Sequence, residues 1–136
     1  MDLNEVKVDK SKESDGVWVD IDEDTRILVA SDVSPAYKRM LKKELLPYQK
    51  AIRLNTMKDK VYEEVASKCM AKHILLDWEG ITKDGMAFPY SEENSLLLMT
   101  DDSYSQFRDF VAAQSMDLTL FRVSSIDDVK DEIKKS

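Results

Sequence analysis

The sequence predicts an α+β fold: a mostly helical single domain with an N-terminal β-hairpin and a short second hairpin near residues 81–88. Three observations carry this prediction. Apolar side chains recur at every second residue after Gly16, and they recur at helical spacing after Ser34. No linker and no internal repeat occurs between Gly16 and Val123. A chain of 136 residues can bury a core without disulfides or metal.

The first third of the chain predicts an arm and a hairpin. Residues 1–14 are polar and charged with no apolar period, so we expect a mobile acidic arm, regular structure from about Gly16, and one domain over residues 15–136. Alternation over residues 17–21, an acidic interruption and the apolar run 26–30 then predict two strands joined by a short turn.

Prolines mark the first helices. Pro35 after Ser34 predicts a helix that begins there, with Ser34 as its N-cap, and Pro47 ends it near Leu45. A short second helix is predicted over residues 48–54.

The longest predicted helix follows Thr56, which forms an approximate capping box with Asp59. Its apolar positions form one broad face, so we expect it to be the central helix of the core and to continue to about Asp77. Gly80 is the expected stop signal after it.

Turn and capping residues organise the last part of the chain. A tight turn at residues 83–85 joins two short extended arms, and Ser91 caps a short helix whose apolar residues are Leu96, Leu97 and Met99. A further helix follows over residues 104–114. We expect Phe121 to return to the core.

The end of the chain has its own capping signal. Ser125 with Asp128 resembles a capping box and opens a highly charged terminal helix over roughly the last ten residues, which we expect to fray.

Composition argues against an enzyme. The chain has one His, one Cys and three widely spaced glycines, which excludes an internal disulfide and the clustered glycines of nucleotide-binding loops. We therefore expect no catalytic residue, no cofactor and no metal.

The net charge is −7, but it is unevenly distributed. Residues 25–72 hold eleven bases and five acids, whereas the segments before and after them are acidic. An acidic total argues against nucleic-acid binding, and the bases of the middle segment fit the solvated faces of helices. Apolar runs are too short to span a bilayer and no signal peptide is seen, so we expect a cytosolic protein without a membrane partner.

Two weak metal patterns are better explained by structure. The acids of residues 20–24 start like a calcium loop, but the glycine and glutamate that such a loop needs are absent. Cys69, His73 and Asp77 share one face of the predicted long helix, yet a closed zinc site needs four ligands. A buried thiol and a hydrogen-bonded His in the core are the simpler interpretation.

Apolar side chains suited to a partner are the remaining candidates. Seven methionines suggest an adaptable apolar surface, although filling the core explains most of them equally well. The large aromatic side chains at the ends of predicted helices and strands either fill the core or contact a partner protein. The candidate partner-binding residues are Trp18, Met40, Trp78, Phe88, Tyr90 and Met99.

The order of several segments resembles a known family. These segments are Pro35-Ala36-Tyr37-Lys38 through Leu46-Pro47-Tyr48-Gln49-Lys50-Ala51, then Leu75-Leu76-Asp77-Trp78-Glu79-Gly80-Ile81, then Asp84-Gly85 with Pro89-Tyr90-Ser91-Glu92-Glu93-Asn94, and finally a helix from Phe107 to Phe110. Together, over roughly residues 17–122, they resemble tail assembly chaperones of long-tailed bacteriophages and prophages.

The resemblance implies a non-enzymatic role in the bacterial host cytoplasm. Such chaperones bind the long helical tape measure protein, keep it soluble and help tail-tube subunits assemble around it. We expect a partner helix to dock on the methionine-containing helical surface. Two alternatives stay open: a structural head-tail or tail component retained in the virion, and an acidic inhibitor or DNA mimic acting on a host factor. Self-association is also left open.

Overall fold

A computed structural model of the chain describes residues 1–123, so the charged helix predicted from Ser125 lies outside the described residues. The helices are α1 Lys10–Asp15, α2 Pro35–Leu45, α3 Gln49–Arg53, α4 Asp59–His73, α5 Glu92–Thr100 and α6 Ser105–Ser115. The strands are β1 Val17–Asp20, β2 Arg26–Val29, β3 Leu75–Glu79, β4 Thr82–Lys83 and β5 Met86–Ala87. Four short 3₁₀ helices cover Leu3–Val6, Leu46–Tyr48, Asp102–Tyr104 and Leu118–Phe121. This mostly helical α+β fold confirms the predicted class.

The main sheet has the order β1-β2-β3, with every pair antiparallel. The predicted hairpin is present, and β3 adds a third strand on the other side of β2. Ile27 lies opposite Trp78, and Val29 lies opposite Leu75 across an irregularity in the register. These four side chains are buried, so the sheet contributes one covered face to the core.

The second hairpin is present as predicted. The strands β4 and β5 pair through a turn in which Asp84 and Gly85 both have positive φ, the backbone that a two-residue hairpin loop requires. Among residues 1–123, no helix is both long enough and apolar enough to cross a membrane.

The prediction that the long helix reaches Asp77 is wrong, because α4 ends at His73. The apolar run after it is extended and pairs with β2, which would otherwise present an unpaired edge. The N–H of Ala30 donates to the carbonyl of Ile74 at 2.9 Å, at the point where the chain passes from α4 to β3. Asp77 therefore lies in the sheet, and Gly80 follows a strand.

Two helices lack the side-chain N-cap hydrogen bond that the sequence predicts. Lys58 occupies the N-cap of α4 without a side-chain cap bond, and the Thr56 hydroxyl donates instead to the carbonyl of Ala51 at 3.4 Å. Ser34 sits at the N-cap of α2, but its buried hydroxyl has no hydrogen-bond partner within the described chain. Ser91 caps α5 as predicted, since its hydroxyl accepts from the N–H of Asn94 at 2.9 Å.

Regular structure begins at Leu3 rather than near Gly16. Asp2 and Asp9 each cap a short helix, which gives the polar segment local order without an apolar period. The N–H of Asp9 also donates to the carbonyl of Phe121 at 2.8 Å. The predicted mobility of residues 1–14 stays a prediction.

The core lies between the sheet and the helices α2, α4, α5 and α6. Phe121 is buried, as predicted. The buried apolar residues are Ile27, Val29, Ala30, Tyr37, Cys69, Met70, Ala71, Ile74, Leu75, Trp78, Leu98, Met99, Val111 and Phe121.

Gly80→Ala should strongly destabilise the fold. Gly80 has a φ of +84°, and a Cβ there would lie 1.9 Å from the carbonyl oxygen of Asp24. We expect the free energy of unfolding, measured by urea denaturation, to fall by roughly 3 kcal/mol or more. Gly85→Ala is the matched control: its φ is +76° but a Cβ meets nothing within 4 Å, so a loss of about 1 kcal/mol is expected. Equal losses in the two variants would contradict the close approach at Gly80.

Ser95→Ala should loosen the packing of α5 on α4. The Ser95 hydroxyl is fully buried and donates to the carbonyl of Ala71 at 2.6 Å. We expect a loss of about 1 kcal/mol in the free energy of unfolding. Thr100→Ala removes a hydroxyl that bonds within α5 on the exposed side and should change stability by under about 0.5 kcal/mol. No difference between the two variants would argue against the interhelical bond.

Candidate functional site

A groove of about 630 Å³ runs between α4 and the segment from α5 to α6. Charged and hydroxyl side chains dominate its walls, with one leucine among them. The lining residues are Lys60, Glu63, Glu64, Ser67, Lys68, Leu96, Thr100, Asp102, Ser105 and Arg108.

One wall of the groove is a single face of α4. The lining residues between Lys60 and Lys68 are spaced three and four positions apart, so they project from the same side of the helix. Ser67 is buried at the base of this wall. Ala71, four positions after Ser67, continues this face to the contact with α5, whereas the buried Cys69 lies on the opposite side of α4.

The opposite wall is α5, and buried contacts hold it in place. The Ser95 hydroxyl donates to the carbonyl of Ala71 on α4. Leu98 and Met99 point into the core, which turns Leu96 and Thr100 toward the groove. Because α5 is fixed from its inner side, the shape of the groove follows from core packing.

Arg108 closes the end of the groove formed by α6. Its guanidinium donates to the carbonyl of Met99 at 3.3 Å and pairs with the Asp102 carboxylate at 3.4 Å. The arginine side chain is mostly buried, whereas Asp102 is exposed. The ion pair therefore ties α6 to the end of α5.

The outer side of α5 carries two exposed leucines beside the exposed polar residues Glu93 and Thr100. Leu96 is 44% exposed and Leu97 is 43% exposed, while Leu98 and Met99 are buried. Leu96 belongs to the lining of the groove and Leu97 lies next to it outside the lining, so the two form a partly exposed apolar strip at the edge of the groove.

Formal charges in the groove cancel. Its lining holds three cations (Lys60, Lys68, Arg108) and three acids (Glu63, Glu64, Asp102). Such a lining does not select a ligand of one sign. It suits a segment that carries an apolar face flanked by charges of both signs.

The cysteine and histidine do not form a reactive centre with Asp77. Burial raises the pKa of the Cys69 thiol, and burial also lowers the pKa of His73, so both favour their neutral forms. Asp77 lies in β3 and not on their helix. Within residues 1–123, no group of three or more His, Cys, Asp or Glu side chains is placed to hold a metal ion. The acids of residues 20–24 form the end of β1 and the turn to β2.

The six candidate contact residues separate into core and surface positions. Trp78 and Met99 are buried in the core of this structure, and their role as contact residues stays a prediction. Met40, Phe88 and Tyr90 are half-buried and pack against the core. These five residues lie in the core or pack against it.

Of the six candidates, Trp18 is the one that does not pack against the core cluster. Its ring is half-buried, and the Arg26 guanidinium lies 4.0 Å from the ring centroid. The same guanidinium donates to both oxygens of Glu79, at 2.7 and 3.0 Å. Arg26 therefore covers Trp18 on the outer face of the sheet.

Trp78 anchors an aromatic cluster that supports the start of α5. Its ring nitrogen donates to the carbonyl of Phe88 at 2.7 Å, and its ring stacks on that of Phe88 with centroids 5.9 Å apart. The Tyr90 ring meets Trp78 edge-on at 5.1 Å. This cluster fixes the chain that leads into Ser91, the N-cap of α5.

The sequence analysis did not identify Leu96 and Leu97 as exposed residues. The predicted methionine surface is not part of the groove, whose lining contains leucine and no methionine. The signal was present in the sequence, because four consecutive apolar residues at 96–99 cannot all face inward from one helix.

Comparison with known proteins places the chain among prophage proteins. A family model described as YdaY prophage protein matches residues 32–132. No curated protein and no solved structure matches. The matched range contains α2 to α6 and hence the whole groove. Since it also covers well over half of the sequence, the chain belongs to the YdaY prophage protein family.

Proposed function

We propose that this prophage protein acts without catalysis, by binding a helical segment of another protein in the groove beside α5. The uncovered leucines Leu96 and Leu97 carry this proposal. They lie outside the core cluster, and their exposed apolar area costs solubility unless a partner covers it.

The dimensions and charges of the groove favour a helix as the ligand. The wall from Lys60 to Lys68 extends along about 12 Å of α4, which matches roughly two turns of a bound helix. Leu96 would contact the apolar face of that helix within the groove, and Leu97 would extend the contact at its edge. The balanced charges on the rims would pair with its polar flanks.

Within this class of function, we infer the role of a tail assembly chaperone for the tape measure protein. Part of the sequence pattern that resembles tail assembly chaperones lies in segments that support the groove. Residues 89–94 build the start of α5, where Ser91 caps the helix and the Asn94 side-chain amide donates to the carbonyl of Pro89 at 2.8 Å. Trp78 braces the same region from β3. Tail-tube subunits are a second candidate partner, and the host cytoplasm is the expected compartment.

Replacing the exposed leucines should weaken partner binding. We expect Leu96→Gln with Leu97→Gln to reduce the soluble yield of a co-expressed tape measure segment from the same prophage by on the order of tenfold, because the apolar area available to the partner is lost. Gln retains helix propensity, and both positions are exposed, so the variant should fold. The yield is measured by co-purification on a tag on this chain.

Leu118→Gln is the matched control for this experiment. Leu118 is 72% exposed and lies in a 3₁₀ helix outside the groove lining, so its replacement should leave the yield unchanged. Circular dichroism checks that each variant keeps its helix content. An unchanged yield with the leucine variant would contradict groove binding.

A chaperone should leave before the particle is complete. We expect mass spectrometry of particles purified after prophage induction to detect the tail proteins but not this chain. Lysates taken during assembly should contain it in complex with the tape measure protein. Its presence in finished particles in fixed proportion would favour the retained structural component instead.

A further inference from the structure

The connection between α2 and α4 forms a second surface, which we call the basic bend and define as residues 42–60. None of these residues is buried. Leu46 is 52% exposed, Ile52 is 44% exposed and Leu54 is 62% exposed. The helix α3, which carries Ile52, packs mainly against the adjoining 3₁₀ helix. The basic bend therefore exposes three aliphatic side chains that no element of the described chain covers.

The charge of the basic bend is opposite to that of the whole chain. The bend holds six bases and two acids, whereas the chain has a net charge of −7. Among the described residues, no ion pair engages any of these bases. They are Lys42, Lys43, Lys50, Arg53, Lys58 and Lys60.

The turn between β1 and β2 carries the complementary features. Ile21 is 41% exposed and is surrounded by Asp20, Asp22, Glu23 and Asp24. Arg26 forms an ion pair with Glu79 and also faces Asp20 across the strands, whereas no ion pair within residues 1–123 engages Asp22, Glu23 or Asp24. The turn therefore has one exposed aliphatic side chain and four acids, and the basic bend has three exposed aliphatic side chains and six bases. The two surfaces are complementary in charge, and both are partly apolar.

We propose that the basic bend of one copy of this chain docks on the β1–β2 turn of a second copy. Each surface combines exposed apolar residues with charges, and the charges of the two surfaces are opposite in sign. This complementarity favours encounter in one orientation. Aliphatic residues also distinguish this surface from one for single-stranded nucleic acid, where aromatic rings stack on bases. This inference does not depend on the ligand of the groove, although Lys60 belongs to both surfaces.

The two surfaces are different, so the contact is heterologous. Each copy that docks through its bend keeps a free turn, and each copy that docks through its turn keeps a free bend. Such contacts produce rings when the rotation closes and open chains when it does not. Two copies that dock reciprocally close a ring of two, and any other rotation carries association beyond a dimer as concentration rises.

Sedimentation velocity of the purified full chain tests self-association. In about 0.05 M NaCl, we expect the mean mass to rise with protein concentration, and about 1 M NaCl should return the chain to a monomer because salt screens the contact. A chain that stays monomeric at every concentration in low salt would overturn the proposal.

Charge reversal tests which surfaces meet. Lys50→Glu with Arg53→Glu reverses part of the bend, and Glu23→Lys with Asp24→Lys reverses part of the turn; all four positions are exposed. Each double variant alone should self-associate at least about tenfold more weakly than the unaltered chain. Mixing the two should restore association, because the reversed bend attracts the reversed turn and the two unaltered surfaces still attract each other.

Matched controls distinguish this contact from a general effect of net charge and from nucleic-acid binding. Lys72→Glu with Lys83→Glu makes the same charge change at exposed positions outside the bend and should leave association intact. Failure of the mixture to associate would overturn the assignment of surfaces, even if each variant is monomeric. Binding of a single-stranded DNA probe of about 30 nucleotides that is lost only in the bend variant would overturn it in favour of nucleic acid.

Discussion

The packing of α5 on α4 is the constraint on which the rest of the surface depends. A fully buried hydroxyl on α5 donates to a backbone carbonyl of α4, and Leu98 and Met99 fill the space beside it. Once these inward positions are occupied, helical geometry forces the two preceding leucines outward. The exposed strip and the groove beside it are therefore direct consequences of a well-packed interior.

Much of the fold could be predicted from local signals. The alternation in β1 and β2, Pro35 at the start of α2 and Ser91 at the start of α5 act within a few residues of their own positions. The end of α4 could not be predicted in this way. Leucines and a tryptophan after His73 are compatible with a helix or a strand, and only pairing with β2, more than forty residues away in sequence, selects the strand.

The candidate site was harder to predict, because burial depends on how elements assemble. Trp78 and Met99 have the chemistry of contact residues, yet the sheet and α5 place them in the core. Leu96 and Leu97 have the chemistry of core residues, yet they are exposed. Periodicity within one helix could have shown that some leucine must face outward, but it could not identify which side of α5 meets α4.

The chain thus has two exposed apolar surfaces, and their different charges mean that different forces would dominate binding at each. In the groove, cations and acids balance, so long-range attraction is small and contact area supplies most of the binding free energy. On the basic bend, one sign dominates, so attraction extends over about a Debye length and falls steeply with added salt. Ionic strength can therefore change contacts at the bend while leaving contacts at the groove nearly unaffected. A protein with two such surfaces can keep a ligand in the groove through buried contact area. Its electrostatic contacts at the basic bend can form and dissociate independently of that ligand.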